Sequence, residues 1–324
     1  MKNISLNISS KSLLINSKEF FERNIMIVIC IVLMIICTFA SDRFLTVPNL
    51  LSILRQNSII GVMAVGQCIV IIAGGIDASI APMMVAGVMV MGLVQGLPMF
   101  LVILIVMAFT FLMGTISGII VSYYKVVPFI ATMAMATIAE GISLIVNRGK
   151  PIYWQGEHQE FIKVMGTGSV LGVPNMVIAL VTIVIIGQLI LTRTKLGFTW
   201  RAIGGNAEAS YWSGIKSKRY SMLAYSFSSM MAGVASVLMI TRVGASDPMA
   251  GITNTMDVLA ASVLGGTFIG GKGVGSVTGA LLGVFILGMI NNIFNLVGFS
   301  AYAQYITKGM ILILAVAFGS SKRK

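Results

Sequence analysis

Long apolar runs recur along the chain from Ile25 to Phe318, and most of them approach the length that a helix needs to cross a bilayer. Of the 324 residues, 57% are hydrophobic and only 10% are charged, whereas soluble domains carry about a quarter charged residues. The runs are rich in Gly, Ala, Ser and Met, as is typical of helices that pack closely in lipid. The sequence therefore predicts an all-α, polytopic membrane protein.

The runs divide into about ten predicted spans, at residues 25–40, 53–73, 80–94, 98–121, 129–146, 173–191, 221–240, 256–264, 274–293 and 302–318. Ten spans place both termini on one side. With the termini in the cytoplasm, fifteen Lys and Arg residues lie in inner segments and five in outer loops, which agrees with the positive-inside rule. Eight or nine spans remain an alternative, because 80–94 and 256–264 are short.

The predicted organisation is a cytoplasmic segment at 1–24, one transmembrane domain at 25–320 and a cytoplasmic tail at 321–324. The longest polar segments are an outer loop at 147–172 and an inner loop at about 193–219, and each is too short to bury a core of its own. The net charge of +12 is explained by positive-inside topology and contact with membrane lipid, so no nucleic-acid partner is expected.

Two Gly-Gly pairs border the short spans: Gly74-Gly75 precedes the third, and Gly265-Gly266 follows the eighth. Short or broken helices in both halves of a transporter point to a substrate path near the midplane. Close helix packing explains the glycines equally well. After the first pair, Asp77 or Ser79 can cap the next helix, and Asp77 is interpreted either as that cap or as part of a hinge at the inner end of the path.

Polar residues within spans are the other candidates for the translocation path. Glu140 and Lys308 lie deep enough in their spans to need a partner or a cavity, whereas Arg55 and Asp257 are expected near the outer interface. Asn291 and Asn292 can hydrogen-bond a hydroxylated ligand or a neighbouring helix.

The inner loop carries the segment AIGGNAEASYWSGI at 202–215, which predicts a helix of about two turns outside the membrane. In this interpretation Gly204-Gly205 form a flexible entry and Asn206 is the N-cap. Glu208 lies in the first turn, and Gly214 takes the left-handed position after the end.

The helix would carry Tyr211 and Trp212. These aromatic residues predict a docking site for a soluble partner, or an interfacial helix with its rings at headgroup level.

The residues available argue against an enzyme and against a metal site. The chain has one His and ten acidic residues, and no nucleophile, base and orienting residue stand in a recognisable arrangement. The segment GGTFIGGKGVGS at 265–276 is close to a phosphate-binding loop, but Gly273 replaces the required Ser or Thr. We expect no cofactor on this chain.

Several patches in order resemble the permease subunits of bacterial ABC importers for ribose and related monosaccharides. They are GGIDAS at 74–79, AIGGN at 202–206, SGI at 213–215, VLGGT at 263–267, GGKG at 270–273 and Asn291-Asn292, together with Arg242, Pro248, Gly251 and Asp257.

The resemblance implies a permease in the bacterial cytoplasmic (inner) membrane, paired with a second copy or a sister permease. It also implies cytoplasmic ATPase subunits that bind ATP, and a periplasmic or lipid-anchored sugar-binding protein. The inner-loop helix would be the coupling helix that contacts the ATPase, through Gly204, Gly205, Asn206, Glu208, Ser213 and Gly214.

The sequence departs from the family pattern at three places. Ala78 and Ala81-Pro82 replace other residues of the first patch, and Glu140 stands where the family is expected to have Arg. The substrate therefore stays open within the family, which also covers nucleoside and autoinducer importers. A secondary transporter with an ion site at Asp77 or Glu140 is the less favoured alternative.

Overall fold

A computed structural model describes residues 25–156, 158–267, 272–300, 302–304, 306–310 and 313. Its helices are α1 Ile25–Ala40, α2 Val47–Ile72, α3 Ile80–Leu93, α4 Met99–Ser122, α5 Pro128–Val146, α6 His158–Thr167, α7 Asn175–Arg193, α8 Lys195–Gly205, α9 Ala207–Trp212, α10 Ser217–Val243, α11 Asn254–Leu264 and α12 Val277–Val297. Short strands are β1 Ile152–Tyr153, β2 Ser169–Val170, β3 Val173–Pro174 and β4 Ala245–Ser246. The described residues between 302 and 313 are helical.

Within this described part, six helices are long and apolar enough to cross a membrane: α2, α4, α5, α7, α10 and α12. The prediction of a helical polytopic protein is confirmed, whereas the count of about ten transmembrane helices is not. The apolar helices α1 and α3 have 16 and 14 residues, fewer than a perpendicular span needs. Helix α11 has 11 residues and is therefore about 16 Å long, so it reaches about half-way across the bilayer core.

The segments predicted to lie outside come together at one end of the bundle, which we call the outer end. Strand β1 pairs antiparallel with β4, and the Trp154 indole N–H donates to Ser246 Oγ at 3.0 Å. Helix α6 and the β2–β3 hairpin lie in the same outer loop. The sequence prediction did not include this helix or these strands.

Helices α2 and α10 form the centre of the bundle. In their most apolar windows 89% of α2 and 72% of α10 is buried, against 22% of α4 and 33% each of α5, α7 and α12. The two central helices also have the lowest hydropathy of the six. Small and polar side chains are thus placed where protein surrounds them, and the most apolar helix, α4, faces lipid.

Small residues let α10 approach three helices closely. A methyl group at Gly66 of α2 would lie 2.8 Å from the Cα of Ser228, and one at Gly114 of α4 would lie 2.6 Å from Ser229 Cβ. Gly87 of α3 faces Ser236 in the same way, and the Ser236 hydroxyl donates to the Met84 carbonyl at 2.8 Å. Serines on α10 therefore fit against glycines on its neighbours, as in other close helix contacts in membranes.

This packing predicts that Gly114→Leu destabilises the protein by about 1–3 kcal/mol, because the added side chain has no space against Ser229. The matched control is Gly141→Leu on α5, where an added methyl group has no neighbour within 4 Å. Thermal unfolding of both purified variants in detergent measures the difference. Equal melting temperatures would contradict the packing described for α10.

Candidate functional site

The break after α2 lies at the inner end of the bundle, the end opposite the outer loop. The Gly74 N–H donates to Ile71 O at 3.0 Å and the Gly75 N–H to Val70 O at 2.9 Å. Gly74 has a φ of +92°, which favours glycine. Helix α3 then begins at Ile80 with Pro82 in its first turn, so the predicted end of one helix and start of the next are confirmed.

One interpretation predicted that Asp77 caps α3. The Asp77 carboxylate, however, accepts no hydrogen bond from the free amides in the first turn of that helix. Its Oδ1 accepts hydrogen bonds from the Ser79 N–H at 2.9 Å and the Ser79 hydroxyl at 2.6 Å. Its Oδ2 accepts one from the Ser228 hydroxyl of α10 at 2.7 Å. Asp77 is 2% exposed. Burial raises the pKa of this carboxyl, while the three hydrogen bonds act in the opposite direction.

Asp77 therefore joins the break to the central helix. Two hydrogen bonds hold the turn at 77–79 together, and the third fixes that turn to α10. The Ala78 N–H adds a hydrogen bond to Thr132 Oγ1 of α5 at 3.1 Å. The connection between α2 and α3 is thus held from two sides.

The inner loop forms two helices, and the predicted helix with Asn206 as its N-cap is α9, whereas α8 before it was not predicted. Gly204 and Gly205 end α8 and are not a flexible entry. Asn206 is the N-cap of α9, where its Oδ1 accepts from the Ala209 N–H at 2.9 Å. The N-cap of α8 is Thr194, whose hydroxyl oxygen accepts from the Gly197 N–H at 3.4 Å.

The predicted features of α9 itself are present. Glu208 lies in the first turn, and the Ser213 hydroxyl donates to Ala209 O at 2.9 Å at the helix end. Gly214 has a φ of +82°. Tyr211 is 62% exposed and Trp212 is 78% exposed. The end of α9 therefore presents two uncovered aromatic rings.

The break and the inner loop meet at one junction. Gly74 contacts Gly204, since a methyl group on Gly74 would lie 3.6 Å from the Gly204 Cα. A methyl group on Gly204 would collide with the Ile72 carbonyl, so only glycine fits there. Gly74-Gly75 and Gly204-Gly205 line a cavity of about 370 Å³, together with Asn206 and residues of α4, α5 and α10.

Arg201 of α8 holds the segment before α12. Its guanidinium donates to Gly273 O and to Gly275 O, both at 2.9 Å. Ser276 then caps α12 by accepting from the Gly279 N–H at 3.0 Å. The segment after α11 therefore reaches the same junction. Residues 268–271 of the loop that resembles a phosphate-binding loop lie outside the described residues.

The structure does not bring the other predicted path residues to this junction. Asn291 lines a small cavity of about 130 Å³ at the outer end. Asn292 instead forms a reciprocal amide pair with Asn49, with distances of 3.0 and 2.8 Å. Glu140 lies on α5, is partly exposed and lines neither cavity. Lys308 is paired with Asp257 at 2.8 Å.

The sequence prediction did not include three contributors to the junction: Arg201, Ser228 and Tyr225, whose side chain lines the cavity. The sequence indicates only that Arg201 is one of the fifteen inner positive charges and that Ser228 lies in the predicted span 221–240. The serine-rich stretch 226–229 of the seventh predicted span indicates a buried polar contact near Ser228, because serines in a span need hydrogen-bond partners. No local pattern predicts that Arg201 would reach a loop 72 residues away.

Comparison with known proteins identifies the family. Residues 49–316 match the family of permease components of branched-chain amino acid transport systems. The chain belongs to this permease family.

Relatives of the permease cover nearly its whole length. The ribose import permease protein of Haemophilus influenzae is 35% identical over 320 residues, covering 98% of this chain and 96% of the relative. That of Bacillus subtilis is 35% identical over 293 residues, covering 90% of each. The xylose transport system permease protein of Escherichia coli is 30% identical over 362 residues, covering 93% and 92%. No solved structure matches the permease.

The family and the six long apolar helices together make the protein a multi-pass membrane permease. Its relatives are transport components, so it is not an enzyme.

The hydrogen bond between Asp77 and Ser228 predicts non-additive effects of mutation. Asp77→Ala should destabilise the protein by about 1–3 kcal/mol, because buried hydroxyls lose their acceptor. The double variant Asp77→Ala, Ser228→Ala should be more stable than the sum of the single effects indicates, by about 1 kcal/mol. Unfolding in an SDS titration measures each free energy.

The control for this cycle is Ser236→Ala, which removes another buried hydroxyl from α10. Its effect should add to that of Asp77→Ala. Additive effects for Ser228 as well would show that the bond to Asp77 carries no coupling.

Proposed function

We propose that this chain is the transmembrane permease of an ABC importer for a monosaccharide, located in the bacterial cytoplasmic membrane. Its relatives with ribose and xylose in their names support a pentose-like substrate. A nucleoside or an autoinducer is the alternative, since Glu140 and the residues around Asp77 depart from the pattern of the family.

The observation that carries this proposal is the placement of α9. It projects the exposed rings of Tyr211 and Trp212, and its N-cap residue Asn206 lines the cavity at the break after α2. A soluble partner that binds the two rings would therefore contact a short helix whose N-terminal end borders the same cavity as Gly74 and Gly75.

In this proposal the coupling residues are Gly204, Gly205, Asn206, Glu208, Ser213 and Gly214. Gly204 provides the close contact with the end of α2, while Asn206, Ser213 and Gly214 fix the two ends of α9. Glu208 and the aromatic rings face the partner. ATP binds to that partner, a cytoplasmic ATPase subunit, and not to this chain.

Two further partners belong to the proposal. A second permease copy or a sister permease covers part of the exposed apolar surface, and a periplasmic or lipid-anchored sugar-binding protein delivers the substrate to the outer end. The residues Gly74, Gly75 and Asp77 act as the inner hinge of the translocation path. Asn291 and Asn292 belong to its outer part, and Glu140 is the position where the substrate or packing differs from other members.

Replacement of Trp212 by Ala tests the docking of α9. We expect ATP-dependent uptake of ribose by the reconstituted importer to fall about tenfold or more, since exposed Trp residues are frequent anchors of interfaces. Glu208→Lys should abolish uptake in the same assay while the protein still inserts into the membrane. Co-purification of the ATPase subunit measures docking directly.

The control is Phe198→Ala, which removes another exposed aromatic ring of the inner loop, 67% exposed on α8. It should retain uptake and ATPase binding. Uptake at the wild-type rate by Trp212→Ala and Glu208→Lys would refute the coupling role of α9. Uptake by the chain alone under an ion gradient would instead favour a secondary transporter.

A further inference from the structure

A second cavity lies at the outer end of the bundle, away from the junction with the inner loop. It has a volume of about 130 Å³, and its polar lining comes from helices α2, α10, α11 and α12 and from the helical residues after 302. Its polar lining includes the side chains of Gln56, Arg242, Asn254, Asp257, Asn291 and Lys308.

Most of these polar groups have no protein partner. In the described part of the chain, the side chains of Gln56, Asn254 and Asn291 form no hydrogen bond with another residue, and neither does the guanidinium of Arg242. Lys308 differs, because its ammonium group pairs with Asp257 Oδ2 at 2.8 Å. The cavity therefore offers three free amides and one free guanidinium.

The lining suits a ligand with several hydroxyl groups or other oxygen acceptors, and it disfavours a cation. Asp257 neutralises Lys308, so Arg242 remains as a single donor of charge-assisted hydrogen bonds. Its planar fork can donate to two adjacent oxygens, and amides both donate and accept, as hydroxyl groups do. Ile59 and Ile60 supply an apolar part of the wall, which suits the C–H face of a sugar.

The position of the cavity suits an entry site. Asn254 begins α11 and Asp257 lies in its first turn, and this helix crosses only about half of the bilayer core. Short helices in transporters commonly end at substrate sites. Beyond the other end of α11, Arg201 anchors residues 273 and 275 at the inner junction. The cavity and the junction thus lie at opposite ends of one short helix and its following loop.

We propose that this outer cavity is a binding subsite for the transported solute, a small polyhydroxylated molecule that enters after release by the binding protein. The subsite holds the solute through Arg242, Gln56, Asn254 and Asn291, and the Asp257–Lys308 pair fixes the wall between α11 and the last described helix. This inference rests on the proposed function, because it identifies the residues that would meet a monosaccharide first.

Cysteine protection tests the subsite directly. In the complete importer, with Cys30, Cys37 and Cys68 replaced by Ala, Asn291→Cys is labelled with a membrane-impermeant maleimide from the outer side. D-ribose should slow labelling by roughly twofold at a concentration near its dissociation constant, because occupancy shields the thiol. Sucrose at the same osmolarity should have no effect.

The matched control is Arg43→Cys, an exposed outer position outside the cavity lining, whose labelling ribose should leave unchanged. Adding Arg242→Gln to Asn291→Cys should abolish the protection and lower ribose uptake by about tenfold, since a charge-assisted hydrogen bond is lost. Gln56→Cys gives a second labelling position if Asn291→Cys does not fold.

Uptake of ribose by the wild-type importer distinguishes a failure of the subsite from a failure of the proposed function. If the importer takes up ribose but ribose protects neither Asn291→Cys nor Gln56→Cys, the subsite is refuted and the proposed function stands. If the wild type takes up no ribose, the ribose form of the proposed function fails, and equal labelling with and without ribose then refutes the subsite too. Protection that survives Arg242→Gln refutes the role of Arg242.

Discussion

The close contact of α10 with α2, α3 and α4 is the constraint on which the rest of the bundle depends. Serines of α10 lie against Gly66, Gly87 and Gly114, so backbones approach where larger side chains would hold them apart. In lipid, such packing and the hydrogen bonds between helices replace the hydrophobic effect as the source of association. This explains why the two least apolar long helices are the most buried ones.

The same helix connects the inner loop to the break in the bundle. Helix α10 begins shortly after the exposed helix α9, and eleven residues into it Ser228 donates a hydrogen bond to Asp77. Helix α8 contacts the other side of the break, because Gly204 packs against the end of α2, and Arg201 reaches the segment before α12. A displacement of the inner loop would therefore act, through three contacts, on two connections between helices: the one between α2 and α3 and the one between α11 and α12.

The sequence predicted helix positions well, because apolar runs and glycine pairs are local signals. The break at Gly74-Gly75, the N-cap at Asn206 and the left-handed Gly214 all follow from local chemistry. The flexible entry predicted at Gly204-Gly205 was wrong, because these residues occupy the last turn of α8, where Gly204 is required by contact with the Ile72 carbonyl. Long-range partners such as Arg201 with Gly273 depend on the tertiary fold, and no local pattern contains them.

Hydrogen–deuterium exchange in the complete importer tests most directly whether the inner loop and the break act together. Amides of residues 73–79 and 207–212 are compared in the nucleotide-free state and in the state trapped with ATP and vanadate. Coupling between the inner loop and the break predicts that exchange at 73–79 changes on trapping together with exchange at 207–212. Unchanged exchange at 73–79, in a complex where 207–212 becomes protected, would contradict it.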